Sequence, residues 1–398
     1  MSELVLRRST NLLGMKKSIL LFSVSILLSG LSIAQINYDG SFGKGLNFKT
    51  NDGSFGLKVG VRVQPRWDYV YNEGTKEFEQ QAWIARGRMK FDGFMVNENL
   101  RYKIEFDVVG GYVRDAMVKY RFAPHSDLWF GQGKLPGNRE RVTSSGNLQF
   151  VNRSIFNDAF NLDRDVGIQF HHFFEVGDNL IIRDMYAIST GNGIRNKRFK
   201  AKPSFTAKVE LLPLGKFSGK GDYISGDLKR EQTLKMAFAF SADYNMDSYK
   251  SNSHIGLILN DKRDLLTLNA DMLFKLKGWS LMAEWGARSA PNQTALVYND
   301  ADVATEAYYT GWGMNVQTGY LFKNNWEISA RYAFTNPDDL FDKTNQQVTI
   351  YTKQTDHTLG VSKYIVGHKL KVQADITYRD RVEKDNLVLG RLQMEIHF

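Results

Sequence analysis

Between residues 58 and 121 the cationic side chains recur with a period of two. Lys58, Arg62 and Arg66 fall on the same face as Gln64 and Asp68, with apolar residues between them. Arg86, Arg88, Lys90 and Asp92 repeat the pattern, as do Arg101, Lys103, Glu105 and Asp107, and then Asp115, Lys119 and Arg121. A period of two places alternate residues on one face of a strand. Four such strands in succession put these groups on one wall, where bases outnumber acids about two to one. A guanidinium presents two parallel N–H donors to an oxyanion and does not deprotonate. A water-filled pore lined by such a wall attracts anions and repels cations; the competing expectation is that the nearby acids pair the bases and leave the wall self-neutralised.

A second concentration lies between residues 134 and 164, about thirty residues without a clear strand. Lys134, Arg139, Arg141, Arg153 and Arg164 stand there against Glu140, Asp158 and Asp163. Leu148, Phe150, Val151, Ile155 and Phe156 are too many apolar groups for a solvated loop. A loop that must bury them can fold inward and narrow a channel; the competing expectation is an outer cap packed on its neighbours. A third cluster, Arg195, Lys197, Arg198, Lys200 and Lys202, reads as a solvated outer face or a contact to anionic lipopolysaccharide. His171 and His172 are adjacent on a strand and point opposite ways, so they cannot hold one ion together. With no cysteine in 398 residues, thiolate sites and disulfides are excluded. No zinc spacing, phosphate-cradling glycine loop or supported Ser/His/Asp grouping is found, and no cofactor is implied.

The elements that must position these groups are strands. Alternating segments start near Leu57, Ile84, Leu100, Val113, Asp127, Asp165, Leu180, Ser204, Leu234, Leu265, Trp279, Thr310, Trp326, Asp356, Lys369 and Leu387. That is about sixteen strands of roughly ten residues, the length that crosses a bilayer at a tilt. The strand near Leu180 is ambiguous, because Ile181-Ile182 and Met185-Tyr186 break its alternation. Connections alternate between tight turns, such as Lys277-Gly278 and Val366-Gly367-His368, and long polar stretches at 289–309 and 336–355. Residues 212–233 do not fit, being long and rich in Gly and Lys at a turn position. Aromatic pairs near strand ends suit interfacial girdles: Trp67 and Tyr69, Tyr120 and Phe122, Trp129 and Phe130, Tyr320 and Phe322, Tyr332 and Phe334. The last strand places Leu392, Met394, Ile396 and Phe398 opposite Arg391, Gln393, Glu395 and His397. Its terminal aromatic, Phe398, is the expected signal for membrane insertion by a barrel-assembly machinery.

Lys16-Lys17, an apolar run from Ile19 to Leu31 and Ser32-Ile33-Ala34 read as an export signal cleaved before Gln35. Residues 1–14 read as a mis-assigned start upstream of it. Mean hydropathy is −0.37 although 13% of residues are aromatic, a combination natural to a barrel whose polar lumen dilutes its lipid face. The formal charge of +9 falls to +6 without the four bases and one acid of residues 1–34. The expected organisation is a signal peptide at 1–34, a short periplasmic segment at 35–56 and an all-β transmembrane antiparallel barrel at 57–398.

With these residues in view, the chain resembles the phosphate-selective porins of the O and P type in their Bacteroidetes-like form. The resemblance covers most of the mature chain. It rests on Gly43-Lys44-Gly45-Leu46, Asn51-Asp52-Gly53-Ser54-Phe55 and Leu57-Lys58-Val59-Gly60, on Gly131 to Lys134, Thr143-Ser144-Ser145, Phe150, Arg153-Ser154 and Asn157-Asp158, and on Gly221-Asp222-Tyr223. It implies a homotrimer in the Gram-negative outer membrane and a third loop folded into the pore. It also implies a ladder of bases leading anions to a basic constriction. Carried over, Lys134, Arg139, Arg141 and Arg153 are the constriction candidates. Arg62, Arg66, Arg86, Arg88, Arg101, Lys103, Lys119 and Arg121 are the ladder candidates. Glu140, Asp92, Glu105 and Asp107 depart from an all-basic path and point to small anions in general rather than phosphate alone. The expected function is passive, charge-selected passage of such anions, without catalysis or nucleic-acid binding. The rivals are a general porin, an outer-membrane barrel hydrolase and an adhesive barrel.

Overall fold

The computed structural model describes residues 34–37, 42–177, 179–194, 202–291 and 293–398. Residues 1–33 of the expected export signal and the basic residues 195–200 lie outside the described residues. Among the described residues twenty strands are formed: β1 Ala34–Asn37, β2 Leu46–Thr50, β3 Phe55–Asn72, β4 Phe78–Met95, β5 Asn97–Asp107, β6 Tyr112–Ala123 and β7 Ser126–Lys134. There follow β8 Arg164–Val176, β9 Leu180–Ser189, β10 Ser204–Leu212, β11 Lys235–Asn252, β12 Ile255–Leu276 and β13 Trp279–Ser289. The last are β14 Leu296–Tyr298, β15 Ala304–Ala307, β16 Gly311–Leu321, β17 Trp326–Pro337, β18 Gln354–Val366, β19 Leu370–Arg381 and β20 Leu387–His397.

Sixteen of these, β3 to β13 and β16 to β20, pair antiparallel in chain order and close when β20 meets β3. The small sheet β14–β15 stands apart in the connection from β13 to β16. Each of the sixteen expected segments corresponds to one barrel strand. Closure leaves no unpaired edge, as a lipid-spanning sheet requires. The seam runs from Leu387↔Asn72 to His397↔Arg62, and Val61 and Phe398 then exchange backbone hydrogen bonds of 2.7 and 2.9 Å. Beyond Phe398 the same edge of β3 is taken by β2, with Leu46 opposite Val59 and Lys49 opposite Gly56.

The alternation is inverted relative to a soluble protein. On β16, Trp312 and Tyr320 face outward while Asn315 and Gln317 are buried. On β20, Leu392 is exposed, as is Phe398 just after it, while Gln393 and Glu395 are buried. Apolar groups outward and polar groups inward is the pattern of a barrel in lipid. Among the described residues no helix is long and apolar enough to cross a membrane; the crossing is made by strands. Trp67, Tyr120, Phe122, Tyr320 and Phe322 face outward as girdle residues should. Trp129 does not: its neighbour Phe130 takes the outer face, so period two sends Trp129 inward.

One rim carries tight connections. Lys277 and Gly278 join β12 to β13 with φ of 49° and 94°, the two-residue hairpin turn whose twist matches its strands. A Cβ on Gly278 would lie 2.7 Å from the Leu321 carbonyl. The same rim nevertheless holds residues 213–234 between β10 and β11. The strand count therefore stands, and the length of this connection is real.

Candidate anion passage

The connection from β7 to β8 runs inside the barrel. It carries two short helices, α1 Arg139–Val142 and α2 Ile155–Phe160. Ser154 caps α2 by accepting from the Asn157 N–H at 3.1 Å, as its N-cap position demands. Phe156 and Phe160 are wholly buried, each contributing roughly 1.5–3 kcal/mol. The wall opposite the basic strands is shaped to receive the loop. Gly286 and Gly313 leave room for Phe156 and Phe160: a Cβ there would come within 3.0 and 2.8 Å of those rings. Gly360 makes space for Phe150 in the same way, and Gly319 for Gln149. Side chains of that wall also bond the loop backbone. Lys371 donates to the Leu148 carbonyl at 2.8 Å, Arg331 to Asn152 at 2.8 Å and Arg288 to Ala159 at 2.7 Å. The Val151 N–H donates to Asp375 at 2.9 Å.

Between the loop and β4–β10 a cavity of about 850 Å³ remains open. Thirteen Lys and Arg side chains and three carboxylates line it. Nine of the bases have a carboxylate within 4 Å. Arg88 pairs with Asp107, and Lys103 with Asp115 at 2.5 Å. Lys90 lies 3.5 Å from Glu105, Arg121 3.2 Å from Asp127 and Arg164 2.6 Å from Asp115. Arg141 pairs with Asp163. Among the described residues Arg86, Lys119, Lys134 and Arg153 have no such partner. Arg86 bonds Gln64 at 2.9 Å. Lys134 donates to the Val142 and Thr143 carbonyls at 3.0 and 3.1 Å. Arg153 donates to the Glu140 and Thr143 carbonyls at 2.9 and 2.8 Å. Lys119 lies 3.4 Å from the centre of the Trp129 ring, which stacks on His171 at 3.7 Å. Burial and the nearby Arg141 guanidinium both lower the pKa of Arg153, the mark of positive charges packed together. The Ser144 and Ser145 side chains line the cavity beside them.

The remaining candidates are placed differently. Arg139 is 1% exposed and does not line the cavity. It bonds Asp271 at 2.5 Å and lies 3.6 Å from Glu210 on the far wall. Burial works against its charge, but these carboxylates outweigh that and raise its pKa. Its role is to moor the loop. Arg62 donates to Ser145 at 2.8 Å and lies 3.6 Å from Glu395, and Arg66 donates to Asn152 at 2.7 Å; both brace the loop from β3. Arg101 is paired with Asp127 at 2.9 Å. Of the acidic departures, Glu140 is turned away, accepting from Ser154 at 2.5 Å, and Asp92 does not line the cavity. Arg114, Arg183 and Lys208 line it and were not among the expected residues.

A Ser/His pair exists where none was evident in sequence: Ser204 Oγ lies 3.4 Å from His254 Nε2. The ring is wholly buried, with Nε2 3.0 Å from Asp243 and Nδ1 3.3 Å from Asp165. Burial opposes its charge, yet the two carboxylates push its pKa up to about 9. A histidine held cationic in this way has no lone pair to act as a base.

A closed sixteen-stranded barrel with apolar outer and polar inner faces, constricted by an inward loop, is an outer-membrane channel of a Gram-negative bacterium. The chain belongs to the family described as phosphate-selective porin O and P, which matches residues 58–390. It is thus a transport porin and not an enzyme. An uncharacterized protein of Aquifex aeolicus (strain VF5) is 24% identical, covering 86% of this chain and 87% of its own. Solved structures share the fold at lower identity. The loop L8 deletion mutant of OmpT from Vibrio cholerae has a TM-score of 0.57 at 13% identity, covering 87% of this chain and 100% of its own. The anion-selective porin from Comamonas acidovorans gives 0.54 at 10%, covering 86% and 100%. The outer membrane channel DcaP of Acinetobacter baumannii gives 0.54 at 13%, covering 88% and 99%.

Proposed function

We propose that this porin passes small anions, phosphate or related oxyanions among them, by passive charge-selected diffusion. The observation that carries the reading is the group Arg86, Lys119, Lys134 and Arg153, which lines the open cavity without a carboxylate within 4 Å among the described residues. Fixed positive charge in a narrow aqueous passage attracts anions and repels cations. Arg86, Lys134 and Arg153, with the Ser144 and Ser145 hydroxyls, supply the donors an oxyanion needs, and each contact is weak enough to release to the next. Arg88, Lys103 and Arg121, paired as they are, form the approach. We take the short-turn rim as periplasmic, residues 1–34 as a cleaved export signal and Phe398 as an insertion signal. A homotrimer in contact with lipopolysaccharide is the assembly expected of such a barrel.

Planar-bilayer recording in a tenfold KCl gradient tests this. The reversal potential should carry the sign of chloride permeation, and added phosphate should block part of the chloride current. A potential of the opposite sign sinks the anion reading. Chloride current untouched by phosphate removes only the oxyanion part.

A further inference from the structure

Residues 213–234 join β10 to β11 on the rim where the other connections have four residues or fewer. They turn into the lumen and are fixed there. Phe217 packs on Ile181, Leu212, Ala237, Leu273 and Met282, an apolar cluster on inward positions of the barrel. Lys275 Nζ donates to the carbonyls of Gly221, Ile224 and Gly226 at 2.8, 2.7 and 2.5 Å. Asp227 accepts from the N–H of Glu231 at 3.0 Å and of Gly278 at 2.8 Å. The segment also meets the loop from the opposite rim. The Ser225 N–H donates to the Asn147 carbonyl at 2.9 Å, and Arg139 donates to the Asp222 carbonyl at 3.1 Å.

A cavity lies on each of its two sides. A cavity of about 480 Å³ behind the segment, bounded by Asn147, Lys275, Tyr364 and His368, shares no lining residue with the main passage. On the other side Tyr223 lines the main passage next to Arg183, whose guanidinium pairs with Asp222 and lies 3.2 Å from Glu210. We propose that residues 213–234 are a fixed partition, a second pore-shaping element that closes one half of the barrel. Permeating anions are thereby forced past Arg183 and Tyr223. This rests on the channel reading but not on its selectivity.

Replacing residues 214–233 by Asn-Gly tests it. In symmetric 1 M KCl the single-channel conductance should rise at least twofold. Anion preference should persist, because Arg86, Lys134 and Arg153 belong to other elements. Unchanged conductance overturns the partition, whereas cation selectivity in the unmodified porin would overturn only the anion reading. Should the shortened chain fail to insert, two full-length variants decide. Lys275→Met should add current noise and raise conductance, and an unaltered trace counts against the proposal. Asn147→Cys with Ser225→Cys, in a chain that otherwise lacks cysteine, should conduct alike before and after a reductant. A reversible change on reduction would show a moving gate and overturn a fixed partition.

Discussion

Arg139 and Arg141 show what a single side chain decides. They stand two apart on α1, and residues so spaced do not share a helix face. One is sealed against Asp271 and Glu210, while the other looks into the passage beside Arg153. Sequence gave them one role because no period is readable before the helix is known. The two kinds of arginine should fail differently. Arg86→Ala or Arg153→Ala should move the reversal potential toward zero in a tenfold KCl gradient while leaving thermal stability nearly unchanged. Arg139→Ala should cost about 3–5 kcal/mol by taking from buried Asp271 its close partner, Lys208 being left 4.0 Å away, read as a lower Tm in detergent. His254 makes a pH-dependent contribution. Its folded pKa, about 9, lies above the ordinary 6.5, so the stabilisation is complete below pH ~6.5 and is lost as pH rises through 9. The groups facing it are Asp165, Asp243 and Ser204. Tm should therefore fall by several degrees between pH 7 and 10, and His254→Gln should flatten that slope.

Among the elements, the sixteen barrel strands were legible, because lipid on one side and water on the other enforce period two, whereas β1, β2, β14 and β15, which do not cross, were not. The inward segments were legible only in part. The loop at 135–163 betrayed itself by apolar residues that needed a home. The partition left a fainter trace in the broken alternation of β9. Ile181 points inward against the pattern because Phe217 is there to meet it. Glycines at inward positions of β13, β16 and β18 carried the complementary signal, since a strand interior gains nothing from glycine unless something must approach closely. Gly360→Val tests that reading. Its added carbons would displace Phe150, whose ring edge already lies 3.0 Å from where a Cβ would stand. The barrel should still insert, but with a looser loop and a larger, noisier conductance. Wild-type traces from Gly360→Val would show that the loop tolerates a shifted seat.

At the scale of the whole molecule the lumen is asymmetric. The bases that face open space lie on one side, while on the other Lys371, Arg331, Arg288 and Lys275 are taken up by the loop and the partition that fill it. Selectivity that arises from this fixed charge must weaken as salt screens it, with a Debye length of about 10 Å at 0.1 M and 3 Å at 1 M. The anion-to-cation permeability ratio should drop severalfold between those concentrations; a ratio independent of salt would place selection in size instead of charge. The one-sided basic wall was readable in sequence, but not that Arg86 has no carboxylate within 4 Å among the described residues, since that depends on which carboxylates the fold brings across from distant strands.

The seam has a consequence for how the barrel is made. Of the barrel strands β3 is synthesised first and β20 last, so the pairing that closes the ring spans the whole barrel, and loops of that length close slowly. Until then β3 offers an open edge, the kind of surface on which chains pair wrongly. β2 already occupies the lower part of that same edge, at Gly56 to Val59, as a local hairpin partner. It can therefore form early and fix the register of β3, leaving the edge from Val61 upward for the final strand. In a refolding experiment, deleting residues 42–50 should slow barrel closure and raise aggregation more than it lowers the stability of barrels that do form.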